Sequence, residues 1–220
     1  MEYEGLIGLI KKRRTIRKFG PEPIPQDYID KVIDAARWAP SAANTQPWEF
    51  VIVKDNEMKK EMGIAVSETA ELRVEGKVPV QPYFVEASVL LVVCGDPRLM
   101  EACPTGDVRE ELFTSSLAAA IQNMLLAATA LGLGGSVWGT VGPLAAIRIK
   151  DLLNIPQVLK VRAIIPLGYP AIHPGPTFRR EIDEISHDEK YMPTKFRTEK
   201  DIQDFIDTKT MKGLKNIRLL

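Results

Sequence analysis

The stretch from Glu110 to Leu131 is apolar or small on nearly every face. Phe113, Leu117, Ala120, Met124, Ala127 and Leu131 recur four and three residues apart, a heptad-like seam on a helix. Ser115, Ser116, Ala118, Ala119 and Ala128 fill the remaining faces, and such a helix must be buried. A chain of 220 residues, 45% of them hydrophobic, can bury one sizeable core, with or without an appendage. A single domain of this size rarely needs so small-faced a central helix, and close packing across a homodimer interface is the alternative. Gln122, Asn123 and the charged start argue against a membrane span.

Around that helix the chain reads as alternating helices and strands. Ala87 to Cys94 and Val161 to Leu167 are apolar runs broken only at Ser88 and Arg162, which implies a sheet covered on both faces. Trp48 to Val53 is a third strand and Ser136 to Gly142 a short fourth. Gly5 to Arg14 reads as a short helix with Leu6, Leu9 and Ile10 inward. After Pro25, Tyr28, Ile29, Val32, Ile33 and Ala36 recur at helical spacing up to about Pro40. Lys54 to Ala70 is charged and mostly helical, Val74 to Pro82 is a Pro-interrupted connection, and Pro143 opens another helix. The last thirty residues carry isolated hydrophobes such as Phe196, Phe205 and Leu214, too few for a core of their own, and read as an arm packing on something else.

Two stretches carry candidate chemistry. From Lys11 to Lys18, six of eight residues are cationic. Arg13, Arg14 and Arg17 surround Thr15, so one turn of chain can aim guanidinium groups and a hydroxyl at a compact anion such as a phosphate monoester. A solvated basic helix face is the plain alternative. The second stretch, Pro40 to Pro47, holds Ser41, Ala42, Asn44 and Gln46 at the entrance to a strand. It reads as turn chemistry, or as hydrogen-bonding groups around a planar polar ligand.

Other classes are set aside by composition. Twenty-nine basic residues balance twenty-nine acidic ones, so no global field steers the chain onto nucleic acid or an anionic membrane. Met1 to Lys12 lacks the long apolar region of a signal peptide, which makes a cytoplasmic location the expectation. Cys94 and Cys103 have no CxxC spacing, and His173 and His187 have no second ligand at metal spacing, so no metal site is expected. Gly132, Gly134 and Gly135 end a helix, and Val137 stands where a dinucleotide fingerprint needs its third glycine, which excludes a Rossmann reading.

Taken in order, RRTIRKF, APSAANTQPWEF, AIQNMLLAATALGLGG with SVWG, IPLGYP and a late arginine pair resemble the nitroreductase family of FMN-dependent oxidoreductases. The ordered match runs from about residue 5 to about residue 190. The resemblance implies an α+β, three-layer fold with a mixed central sheet covered by helices, in an interlocked homodimer. It places a domain over 1–192 and a C-terminal arm over 193–220. FMN would be held by Arg13, Arg14, Thr15 and Arg17, with Arg179 on the phosphate. Ser41, Ala42 and Asn44 would lie against the flavin from the partner subunit. Trp138, Gly139, Thr140 and Val141 would present backbone amides to the flavin edge.

The implied activity transfers reducing equivalents from NADH or NADPH to a small organic acceptor, nitroaromatic or quinone, by a ping-pong order. No side chain is required as an acid or base, and none is assigned as catalytic. Alternatives are a flavin-fragmenting or reductive-dehalogenase enzyme, with Glu68 to Pro82 as a lid, and a non-enzymatic flavin-binding dimer. The chain departs from many relatives at Thr177 and Glu181 beside the late arginines, where Arg180 can compensate. It also carries neither Asn nor Lys from Val80 to Tyr83, where some relatives use them on the flavin.

Overall fold

The computed structural model describes residues 2–69, 82–103, 106–135 and 141–210. It divides into two compact units, 1–174 and 175–220. In the first unit, helices α1 (Tyr3–Lys12) and α2 (Gln26–Arg37) precede strand β1 (Trp48–Val53). Then come α3 (Asn56–Thr69), α4 (Pro82–Glu86), β2 (Val89–Gly95) and α5 (Arg109–Ala130). The two-residue β3 (Gly134–Gly135), α6 (Pro143–Leu153) and β4 (Lys160–Gly168) complete it.

The strands form one sheet in the order β1-β2-β4-β3. All three ladders are antiparallel. The parallel contact is an isolated bridge from Thr15 to Gly135, so the sheet is mixed only at its margin.

Alternation along the strands sorts side chains to two faces. Leu91 and Val93 of β2, with Ala163 and Ile165 of β4, pack with Ile29, Val32, Leu117, Ala120 and Met124 from α2 and α5. Leu90, Val92 and Ile164 pack on the other face with Met62, Val66, Phe84, Ala145 and Ile149 from α3, α4 and α6. Helices therefore cover both faces, which is why β2 is apolar and buried at every position. The result is the three-layer α+β arrangement.

Helix α5 buries Phe113, Ser116, Leu117, Ala120, Ile121, Met124, Leu125 and Ala128, while Ser115, Ala118 and Gln122 stay exposed. Within one chain the helix is thus covered on one side only, short of the all-round burial its composition predicts. Asn123 ties it to α2 by donating from Nδ2 to the Ala35 carbonyl at 3.1 Å.

Helix α1 differs from expectation too. It spans Tyr3–Lys12 and buries no residue, leaving Tyr3, Leu6 and Ile10 exposed. Ile7 and Leu9 are half-buried, where α1 lies against α5, while Leu6 and Ile10 stay open.

On the opposite layer, Lys59 is almost fully buried and donates to the carbonyls of Val85 at 3.2 Å and Ala87 at 2.6 Å. It thereby satisfies carbonyls at the C-terminal end of α4.

The second unit holds α7 (Ile182–Ile185) and α8 (Glu199–Phe205). None of its described residues is buried, in keeping with its sparse hydrophobes. Phe178 meets Phe205 edge-on at 5.9 Å.

Candidate functional site

The basic run straddles the end of α1. The helix stops at Lys12, and Arg13 has φ −55° and ψ 129°, outside the helical region. Lys11 and Lys12 fill the last turn, where cations complement the helix dipole. Arg14 turns back on that end, its Nη1 donating to the carbonyls of Lys11 and of Arg13, the latter at 2.8 Å.

From Thr15 onward the chain pairs with the sheet. Ile16 donates its N–H to the Gly135 carbonyl at 3.2 Å, and Gly20 donates to the Tyr169 carbonyl at 2.9 Å. Ala171 returns a bond to the Lys18 carbonyl at 3.0 Å. The three arginines therefore lie along a helix end and a strand-like segment, in place of the single turn expected. Ile16 and Phe19 are buried, and exposed Thr15 and Arg17 flank Ile16.

Glycine makes this seat possible. A Cβ at Gly134 would fall inside the van der Waals radius of the Ile16 side chain, so the segment lies flat on β3 only because that position is bare.

The Pro40–Pro47 loop lies elsewhere. Ala42 donates its N–H to the Ser116 hydroxyl at 3.2 Å, and that hydroxyl donates to the Leu112 carbonyl at 2.7 Å. Ser41 Oγ accepts from the Gln46 N–H at 3.0 Å, closing the loop on itself. Ala43, Asn44 and Gln46 have φ of 49°, 53° and 48°, the left-handed region that costs a residue with a Cβ about 1–2 kcal/mol each. Three such residues in four positions are strain held by surrounding bonds.

From sequence Ser116 is only one of the small residues beside the seam, with no role of its own. It lies between Phe113 and Ala120 at helical spacing, and a hydroxyl on a buried seam requires a partner.

The two stretches occupy opposite ends of the first unit. Fourteen residues of α5 separate Ser116 from Ala130, about 21 Å at the helical rise. Along β4, Lys160 pairs with Gly95 beside the loop, and Leu167 pairs with Gly135 beside the basic segment, about 23 Å apart. One chain does not bring Arg13, Thr15 and Arg17 to Ser41, Ala42 and Asn44.

Among the other candidates, Val141 is buried on the α3 and α6 side of the sheet. Trp138, Gly139 and Thr140 lie outside the described residues, as do the strand expected there and most of the segment from Glu68 to Pro82. In the second unit, Arg179 donates from Nη1 to Thr177 Oγ1 at 2.6 Å and to the Phe178 carbonyl at 2.7 Å. Arg180 donates to the Glu184 carbonyl at 2.6 Å.

The model of the nitroreductase family matches residues 10–169, which include both stretches and the whole sheet. The chain belongs to the nitroreductase family. An Archaeoglobus fulgidus protein, provisionally named NADH dehydrogenase/NAD(P)H nitroreductase, is 34% identical over 201 residues, covering 90% of this chain and 99% of its own. The iodotyrosine deiodinase of Thermotoga neapolitana is 30% identical over 80% of this chain and 93% of its own. The Vibrio harveyi NADPH:FMN oxidoreductase, solved with NAD+, superposes with a TM-score of 0.72 at 27% identity, covering 94% of this chain and 84% of that one.

Proposed function

We propose that this nitroreductase-family protein is an FMN-dependent oxidoreductase that carries reducing equivalents from NADH or NADPH to a small nitroaromatic or quinone acceptor. The observation that carries the reading is the separation of a cationic, hydroxyl-bearing segment from an amide-bearing loop at opposite ends of one unit. A second copy turned end for end sets the loop of one chain against the basic segment of the other. The half-covered α5 and the open apolar stripe of α1 supply surface for such a homodimer. The arm over 193–220 would pack on this core or its partner.

The residues suit the cofactor. The guanidinium groups of Arg13 and Arg17 and the Thr15 hydroxyl suit a phosphate monoester, with Arg14 and Arg179 as further donors. Ser41, Ala42 and Asn44 offer backbone and amide groups to a planar ring, and Trp138, Gly139, Thr140 and Val141 are assigned to its edge. FMN, when bound there, supplies hydride acceptance and the return of reducing equivalents. The chain orients donor and acceptor, which use one face in turn.

Anaerobic mixing of the purified holoprotein with NADH or NADPH tests this. Bleaching by at least one donor, reversed by a quinone or nitroaromatic, is the expected result. No bleaching by either overturns the reading. Reductive dehalogenation is the second reading, favoured by the similarity to iodotyrosine deiodinase, and turnover of a halogenated phenol separates the two.

A further inference from the structure

At the C-terminal end of α2, beside the strained loop, lies a cavity of about 410 Å³ lined by Arg37, Trp38, Ala39, Asn44 and Gln46. Trp38 is 75% exposed. An indole normally buries most of its area, and this one stands two residues past buried Ala36, turned from the stripe that holds α2 to the core. Arg37 packs its guanidinium over the indole at 5.8 Å from the ring centre. Its Nε pairs with Asp34, both side chains being more than half exposed, so the pair contributes little. Its two terminal amino groups have no hydrogen-bond partner among the described residues.

We propose that Arg37 and Trp38 dock the adenosine end of the nicotinamide donor, with the base stacked on Trp38 and a phosphate on Arg37. The proposal rests on the oxidoreductase reading, because the cavity shares Asn44 with the loop assigned to the flavin. Three features point to this ligand class. A flat aromatic face open to water is a stacking platform for a heteroaromatic base. A guanidinium with unused amino groups matches a phosphate by paired hydrogen bonds. The amides of Asn44 and Gln46 offer donors and acceptors to ribose or base edges. A nitroaromatic or quinone has the flat ring but no dianionic group for Arg37. The phosphate could be the pyrophosphate common to both donors or the 2′-phosphate of NADPH.

The test uses the holoprotein and the variants Arg37→Ser, Trp38→Ala and Trp38→Phe. KM for NADPH and NADH is measured with one quinone, and tryptophan fluorescence is titrated with 2′,5′-ADP and with 5′-ADP. Arg37→Ser is expected to raise the donor KM about tenfold. A rise for NADPH alone assigns the 2′-phosphate, and a rise for both assigns the pyrophosphate. Trp38→Ala weakens both donors, whereas Trp38→Phe keeps the stack and loses the fluorescence quench. Donor KM values and quench unchanged in Arg37→Ser and Trp38→Ala overturn the proposal, as does a change confined to the quinone KM. Absence of bleaching in the parent overturns the oxidoreductase reading instead, and the nucleotide titration still reads the docking point by itself.

Discussion

Ala42 and Ser116, seventy-four residues apart, are joined by a single 3.2 Å hydrogen bond from the Ala42 backbone to the Ser116 hydroxyl. That bond fastens a loop with three left-handed residues to the long helix α5. Ser116→Ala removes the acceptor and leaves the Ala42 N–H unpaired, at a cost of about 1–2 kcal/mol. Urea midpoints should shift accordingly, and FMN affinity should fall several-fold as the loop loosens. A variant with parental stability and affinity would show that other contacts hold the loop.

Arg13→Ala and Arg17→Ala should each weaken FMN binding by roughly tenfold or more, since a charge-assisted bond contributes about 1.5–3 kcal/mol. The flavin absorbance of the purified protein between 300 and 550 nm reports this directly. Equal flavin content in parent and both variants would remove these arginines from the site.

Gly134→Ala forces a methyl group into the Ile16 side chain. Overpacking of this kind costs about 1–3 kcal/mol. The expected result is a lower melting temperature together with reduced flavin content, because the basic segment is lifted from β3. Replacing Ile16 by Ala in the same chain makes room and should restore part of both.

Burial lowers the Lys59 pKa below the ordinary lysine value, with the nearby Asp55 carboxylate opposing the shift. Between the folded and unfolded values the unfolded chain binds more protons, so this group raises stability as pH climbs through that window. The neutral amine keeps two N–H groups, enough for the Val85 and Ala87 carbonyls. Lys59→Met should cost about 2 kcal/mol or more at neutral pH by leaving both unpaired. Its deficit relative to the parent should grow toward pH 10. Urea titrations at three pH values check this, and a deficit that shrinks with pH contradicts it.

Burial pushes the Cys94 thiol up to about 11, with Lys150 opposing and Glu49 adding to the shift. Cys94 and Cys103 are both buried and free. A thiol reagent at pH 8 should therefore find no reactive cysteine in the folded protein and two after denaturation. Rapid labelling of the native state would mean that the β2 end of the sheet opens readily.

Much of the fold was legible because its causes are local. Helical spacing marks α2, α5 and α6, apolar runs mark β2 and β4, and each boundary lies within a few residues of its expected place. Burial was harder to read. An apolar stripe such as Leu6, Leu9 and Ile10 states what a helix would cover, and no nearby residue states whether that surface belongs to the same chain. The role given to Trp138, Gly139 and Thr140 comes from the resemblance alone, and these residues lie outside the described ones.

By itself, the sequence determined the element types, the two-faced covering of β2 and β4, the cationic segment with its hydroxyl, and membership of the family through ordered motifs. Tertiary structure alone decided the distances. Whether Arg17 and Asn44 meet depends on the register of β4 against β2 and β3 and on the length of α5 between them. These long-range pairings have no local signature, because a strand's hydrogen bonds are the same whichever partner it takes. The same pairings leave Trp38 in the open beside Arg37.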